Sequence, residues 1–136
     1  MDEGTRFLIL SLGDEGYAIP IVRLLEILVP RHIQNDAKLT AHFEGKIEYR
    51  GKWIPVLNVK KVFAIAGKPG ATLLVVKSGK GVIGMLVDEV REILNTDQKP
   101  APVPPGVVNP SLRYFSGVLR HKDSLVLLLN EDGLLS

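Results

Sequence analysis

The chain has 136 residues, 46% hydrophobic and 24% charged, with a net charge of +2 and a pI near 8.9. This fits one folded domain, or two very small ones sharing a core, and excludes a disordered tail. The lack of cysteine excludes disulfides, thiolate zinc sites and a cysteine nucleophile, and the scattered weak charge steers the chain to neither nucleic acid nor membrane.

The opening MDEGTRFLIL is acidic and then briefly apolar, unlike an export signal. No apolar run reaches the ~20 residues of a membrane span, so a cytoplasmic protein without membrane insertion is expected. Residues 7–12 and 17–19, joined through Gly13-Asp14-Glu15-Gly16, read as a hairpin of Val/Ile/Leu-rich strands. PIVRLLEIL (20–28) begins with Pro20, a good first-turn residue, and is expected to hold two helical turns. Residues 47–56 form a second hairpin around Arg50-Gly51-Lys52, and 58–63 a short helical turn capped by Asn58. Residues 72–77 and 82–87 form a third hairpin around Ser78-Gly79-Lys80-Gly81. NTDQKPAPVPPGVVNP (95–110) is too proline-rich for ladder or helix, and reads as a connector or a polyproline ligand. A fourth hairpin, 114–130, turns at Lys122-Asp123, and Asn130 caps a last helical turn reaching Leu135.

The chain repeats itself. Shifted by 66, residues 7–28 lie on 73–94 without a gap, with Gly13 on Gly79 and Glu26-Ile27-Leu28 on Glu92-Ile93-Leu94. Shifted by 72, residues 43–58 lie on 115–130, with Phe43 on Phe115, Gly45 on Gly117 and Leu57-Asn58 on Leu129-Asn130. Any two alternating hairpins align to a degree, but turn residues in register are harder to match by accident. Each half is too small to bury a full core alone. The expected fold is mainly β: two small five-stranded barrels packed together as a duplicated pair with short helical turns. It forms a single domain over 1–136 with intertwined repeat halves 6–63 and 72–135.

Catalytic chemistry is not visible. His32, His42 and His121 stand apart from one another and read as ordinary surface or half-buried histidines. AGKPGAT (66–72) lacks the phosphate-loop spacing and following helix, and reads as a turn. No serine sits in a Gly-x-Ser-x-Gly elbow. Asp14-Glu15, Asp88-Glu89 and Glu131-Asp132 are sequence neighbours whose side chains diverge along a strand. The eight aromatics, Trp53 among them, read as structural, which argues against a nucleic-acid platform.

These segments resemble the CheW-like domain of bacterial chemotaxis coupling proteins from about Arg6 to Leu135. The carriers are FLILSLGDEGYAIPIVRLLEIL, YRGKWIPVLNVKKVF, GVIGMLVDEVREIL, APVPP and YFSGVLRHKDSLVLLLNEDGLL. The resemblance implies paired five-stranded barrels and a scaffold with no catalysis, metal or cofactor. Its implied partners are the cytoplasmic tip of a methyl-accepting chemoreceptor and the regulatory domain of a CheA-type histidine kinase. Arg50 takes the place of the motif arginine tied to receptor-coupled kinase control, and Glu26 that of a glutamate near the kinase-facing side. Ile21, Leu24, Thr72, Val90 and Ile93 fall where the family lines its receptor groove. Plain core packing of the aliphatics and a solvated turn role for Arg50 stay open beside these roles. Glu48 departs from the pattern and stands two residues before Arg50 on the same strand face, placed to pair with it. Asn58 and Lys60 replace a carboxylate and an arginine. These departures allow an alternative, a divergent module that binds one partner or regulates another signalling kinase.

Overall fold

The computed structural model describes residues 5–39, 41–103 and 114–134. Among these residues ten strands carry the fold. In chain order they are β1 (Thr5–Leu12), β2 (Glu15–Pro20), β3 (Leu24–Leu28), β4 (Phe43–Tyr49), β5 (Lys52–Asn58), β6 (Thr72–Ser78), β7 (Gly81–Val87), β8 (Glu89–Thr96), β9 (Phe115–His121) and β10 (Ser124–Leu129). One-turn helices α1 (Val59–Val62) and α2 (Glu131–Leu134) follow β5 and β10. Asn58 caps α1 by accepting from the Lys61 N–H at 3.2 Å, as its place before the helix implied.

The strands form two five-stranded sheets, ordered β8-β1-β2-β10-β9 and β3-β6-β7-β5-β4. Each sheet draws strands from both halves of the chain. Exchanging β1–β5 with β6–β10 converts one order into the other, as the sequence repeat requires. The correspondence reaches the irregularities. A register shift leaves Leu25 unpaired where β3 meets β6, and another leaves Arg91 unpaired where β8 meets β1. Outside β4, Gln34 and Lys46 exchange two backbone bonds of 2.8 Å, and outside β9 Ala101 and Val118 do the same at 2.9 and 2.8 Å. Glycine permits both approaches: a Cβ on Gly45 would lie 2.3 Å from the Gln34 oxygen, and one on Gly117 2.7 Å from the Pro100 Cβ.

Three apolar clusters result from the alternation of side chains across the strands. Phe7, Ile9, Ala18, Leu119, Val126 and Leu128 pack on one face of the first sheet, and Ile47, Ile54, Val56, Leu73, Val75 and Leu86 on one face of the second. The largest cluster fills the seam, where Leu10, Leu12, Ile19, Leu74, Val76 and Met85 meet an aromatic stack. Phe63 lies 5.3 Å from Phe115 and 5.6 Å from Tyr17, centroid to centroid. Each buried aliphatic contributes roughly 1.5–3 kcal/mol, so the seam makes each half depend on the other.

Three expectations need correction. Residues 20–28 are not helical beyond a single 3₁₀ turn at Ile21–Arg23, because Leu24–Leu28 pairs antiparallel with β6 and tertiary pairing overrides local propensity. The proline-rich segment is partly laddered: Asn95 and Thr96 pair with Arg6 and Thr5, and Ala101 bridges to Val118 ahead of the main proline run. The five-stranded units are sheets and not closed barrels, since β3–β4 and β8–β9 share no ladder among the described residues. The remainder of the connector, 104–110, and Leu135 lie outside the described residues.

Candidate partner-contact site

The β4–β5 hairpin turns through Arg50 and Gly51, with φ of 52° and 82°. Two consecutive left-handed residues match the twist of the flanking strands and make a stiff two-residue turn. Holding a non-glycine residue there costs about 1 kcal/mol, and Arg50 is thereby presented outward with its side chain 77% exposed. The Tyr49 hydroxyl donates to Glu26 Oε1 at 3.0 Å, and Arg50 Nη2 lies 3.8 Å from the same oxygen. The guanidinium stands 5.4 Å from the Tyr49 ring centre. Partial burial and the bond to Glu26 hold the Tyr49 hydroxyl above its ordinary pKa. Glu26 thus ties β3 to the hairpin across the unladdered side of its sheet. Beside it Leu25, Ile54 and Val82 floor a cleft of about 340 Å³ rimmed by Tyr49, Arg50 and Lys52.

The other half builds the same device from different residues. His121 Nε2 lies 3.0 Å and Lys122 Nζ 3.3 Å from Glu92 Oε2. His121 first, then Lys122, holds the Glu92 carboxyl below its ordinary pKa. The adjoining cleft, about 370 Å³, has Arg91 where the first has Leu25, and Gly16 where the first has Val82. Asp14 and Glu15 add acid to its lining. One cleft is apolar and cationic; its counterpart is polar and of mixed charge.

Of the groove residues named from sequence, Ile21, Leu24 and Val90 are half-buried against the seam cluster. Thr72 opens β6 opposite Val87, and Ile93 is 56% exposed on β8 opposite Leu8. None of the five lines either hairpin cleft. Glu26 and Arg50 are brought together. Glu48 is not the partner of Arg50 and borders a separate cleft beside Trp53. Asn58 is buried, donating to Glu44 at 2.9 Å, and Lys60 is buried against Asp88 at 3.1 Å, so these two departures serve packing. Trp53 is 52% exposed, against its structural reading. His121 is engaged with a carboxylate. The repeat carried the missed signal: the two shifts lay Glu26 on Glu92 and Tyr49-Arg50 on His121-Lys122.

The family model for the CheW-like domain matches residues 6–136. The chain belongs to the CheW-like domain family. It is 28% identical over 137 residues to the chemotaxis protein CheW of Klebsiella aerogenes, covering 98% of this chain and 82% of that one. Against the chemotaxis protein CheW of Helicobacter pylori the identity is 24%, covering 98% and 83%. The crystal structure of the scaffolding protein TtCheW from Thermoanaerobacter tengcongensis superposes with a TM-score of 0.84 at 25% identity, covering 93% of this chain and 89% of that one. Among the described residues no helix is long and apolar enough to cross a membrane, and no three His, Cys, Asp or Glu residues cluster as a metal site.

Proposed function

We propose that this CheW-like chain is a non-enzymatic adaptor of chemosensory signalling. It acts in the cytoplasm at membrane-associated receptor arrays, coupling a chemoreceptor's cytoplasmic tip to the regulatory domain of a CheA-type histidine kinase. Membership of the family, with relatives named as chemotaxis and scaffolding proteins, supports the class of activity. The observation that carries the site is the cluster of Glu26, Tyr49 and Arg50 on a stiff hairpin beside an apolar cleft.

The chemistry suits exchangeable contact. An exposed ion pair at 3.8 Å is worth well under about 1 kcal/mol. A partner's carboxylate can therefore displace Glu26 from Arg50 with little loss, while Tyr49 keeps Glu26 in place. On this reading the half-buried Ile21, Leu24 and Val90, with Thr72 and the exposed Ile93, accept an amphipathic receptor helix through spaced aliphatic anchors. The intertwined halves, 6–63 and 72–135, act as one rigid domain carrying both surfaces. Reconstitution tests this: a receptor tip and a CheA-type kinase should show receptor control of autophosphorylation only when the chain is added. Control that is indifferent to the chain would overturn the reading.

A further inference from the structure

The two halves differ at one pair of equivalent backbone groups. In β4 the Lys46 N–H and C=O point away from β5, since both bond to Gln34. Pro55, opposite Lys46, needs no ladder donor there. The two-residue period directs the Glu48 N–H and C=O the same way. In β9 the matching residues are Val118, bonded to Ala101, and Arg120. Arg120 is capped by a side chain: its N–H donates to Gln98 Oε1 and its C=O accepts from Gln98 Nε2, both at 2.8 Å. Thr96 Oγ1 steadies this glutamine by accepting from its backbone N–H at 3.1 Å and from Nε2 at 3.2 Å.

Gln98 stands three residues before Ala101, and the residue three before Gln34 is Arg31. The chain turns at His32, with a φ of 55°, and no described residue bonds the Glu48 backbone pair on this edge. A cleft of about 400 Å³ lies there, bordered by Val29, Arg31, His32, Glu48 and Trp53. Val29 is 73% exposed and Trp53 52%.

We propose that this cleft binds a glutamine side chain of a partner protein. Its oxygen accepts from the Glu48 N–H and its amide nitrogen donates to the Glu48 C=O, as Gln98 does intramolecularly on Arg120. Its aliphatic stem, with an apolar neighbour, packs on Trp53 and Val29. A carboxylate completes half of this pair, because it cannot donate to the carbonyl. The proposal stands whether or not the receptor–kinase reading holds.

The test is an NMR titration of the ¹⁵N-labelled full chain with a five-residue peptide carrying glutamine at its centre between two leucines. Peptides with methionine or glutamate in that place serve as comparisons. The Glu48 amide resonance should shift saturably with the glutamine peptide, and the methionine form should bind about thirtyfold more weakly, the loss of both amide hydrogen bonds. No shift at Glu48, or equal affinity for the glutamine and methionine forms, overturns the carboxamide site. Two variants bear on the mechanism. Gln98→Ala uncovers Arg120, whose amide should then respond to the same peptide; silence there in the folded variant overturns the equivalence. Trp53→Ala, at an exposed position, should weaken the Glu48 response, and an unchanged response removes Trp53 from the site.

Discussion

Glu26 and Glu92 occupy equivalent places in the two halves, and each is held by a ring donor and a cation from the opposing hairpin. Tyr49 and Arg50 serve Glu26, and His121 and Lys122 serve Glu92. The repeat therefore preserves the tie across the open side of each sheet while changing its chemistry. The apolar cleft stands beside the tyrosine–arginine version.

Arg50→Glu should leave the fold intact and weaken coupling. The side chain is exposed and its ion pair contributes less than about 1 kcal/mol, so the melting temperature should move by only a few degrees. Circular dichroism melts check the fold, and kinase control in the reconstituted system checks coupling. Retained coupling would remove Arg50 from the contact surface.

Tyr49→Phe deletes the hydroxyl that holds Glu26 while keeping the ring under Arg50. The loss of this hydrogen bond to a carboxylate should lower the urea midpoint slightly with an unchanged slope. Partner affinity should fall as well, because Glu26 is freed to hold Arg50 in other geometries.

Asp88→Ala should be more damaging than either. Asp88 accepts from Lys60 Nζ and from the Gly13 N–H, joining the β7–β8 junction to α1 and to the first turn. Removing it leaves the buried Lys60 ammonium unpaired, at a cost of about 3 kcal/mol. Lys60→Met with Asp88→Asn should recover much of that stability, since neither charge then remains. Urea midpoints of the single and double variants measure the difference.

Two carboxyls should titrate in opposite senses. Burial raises the pKa of Glu131, whose Oε2 has no hydrogen-bond partner among the described residues. Its folded pKa exceeds the unfolded one, so it binds a proton more readily when folded. Its ionisation destabilises the fold as pH rises from about the ordinary 4.5 upward, so Glu131→Gln should raise the urea midpoint at neutral pH. Glu92 is depressed instead. Its stabilisation is present above the ordinary 4.5 and fades as pH falls through the lower folded value, so Glu92→Gln should flatten only the acid limb. Urea midpoints from pH 3 to 8 for both variants separate the two effects.

Much of this fold was legible because its turns are written in Gly, Asn and Asp at fixed offsets, and the gapless repeat linked them. The Asn58 cap and the four hairpins followed from those residues. The segment LLEIL misled because its leucines suit a helix as well as a strand, and only pairing with β6 decides between them. Arg50 was visible as a hairpin tip, but its partner was not. Glu48 is nearer in sequence, whereas Glu26 reaches Arg50 from β3, at the other end of the sheet order. Trp53 was misread because IPVL after it suggests burial, while its own side chain on β5, opposite Glu48 of the edge strand β4, faces solvent.

The most direct measurement is isothermal titration calorimetry of the chain with the regulatory domain of a CheA-type kinase, followed by addition of a receptor-tip fragment to the preformed complex. The adaptor account predicts heat in both steps and a ternary complex of equal stoichiometry. Binding of one partner that excludes the other, or of neither by the folded chain, would contradict it.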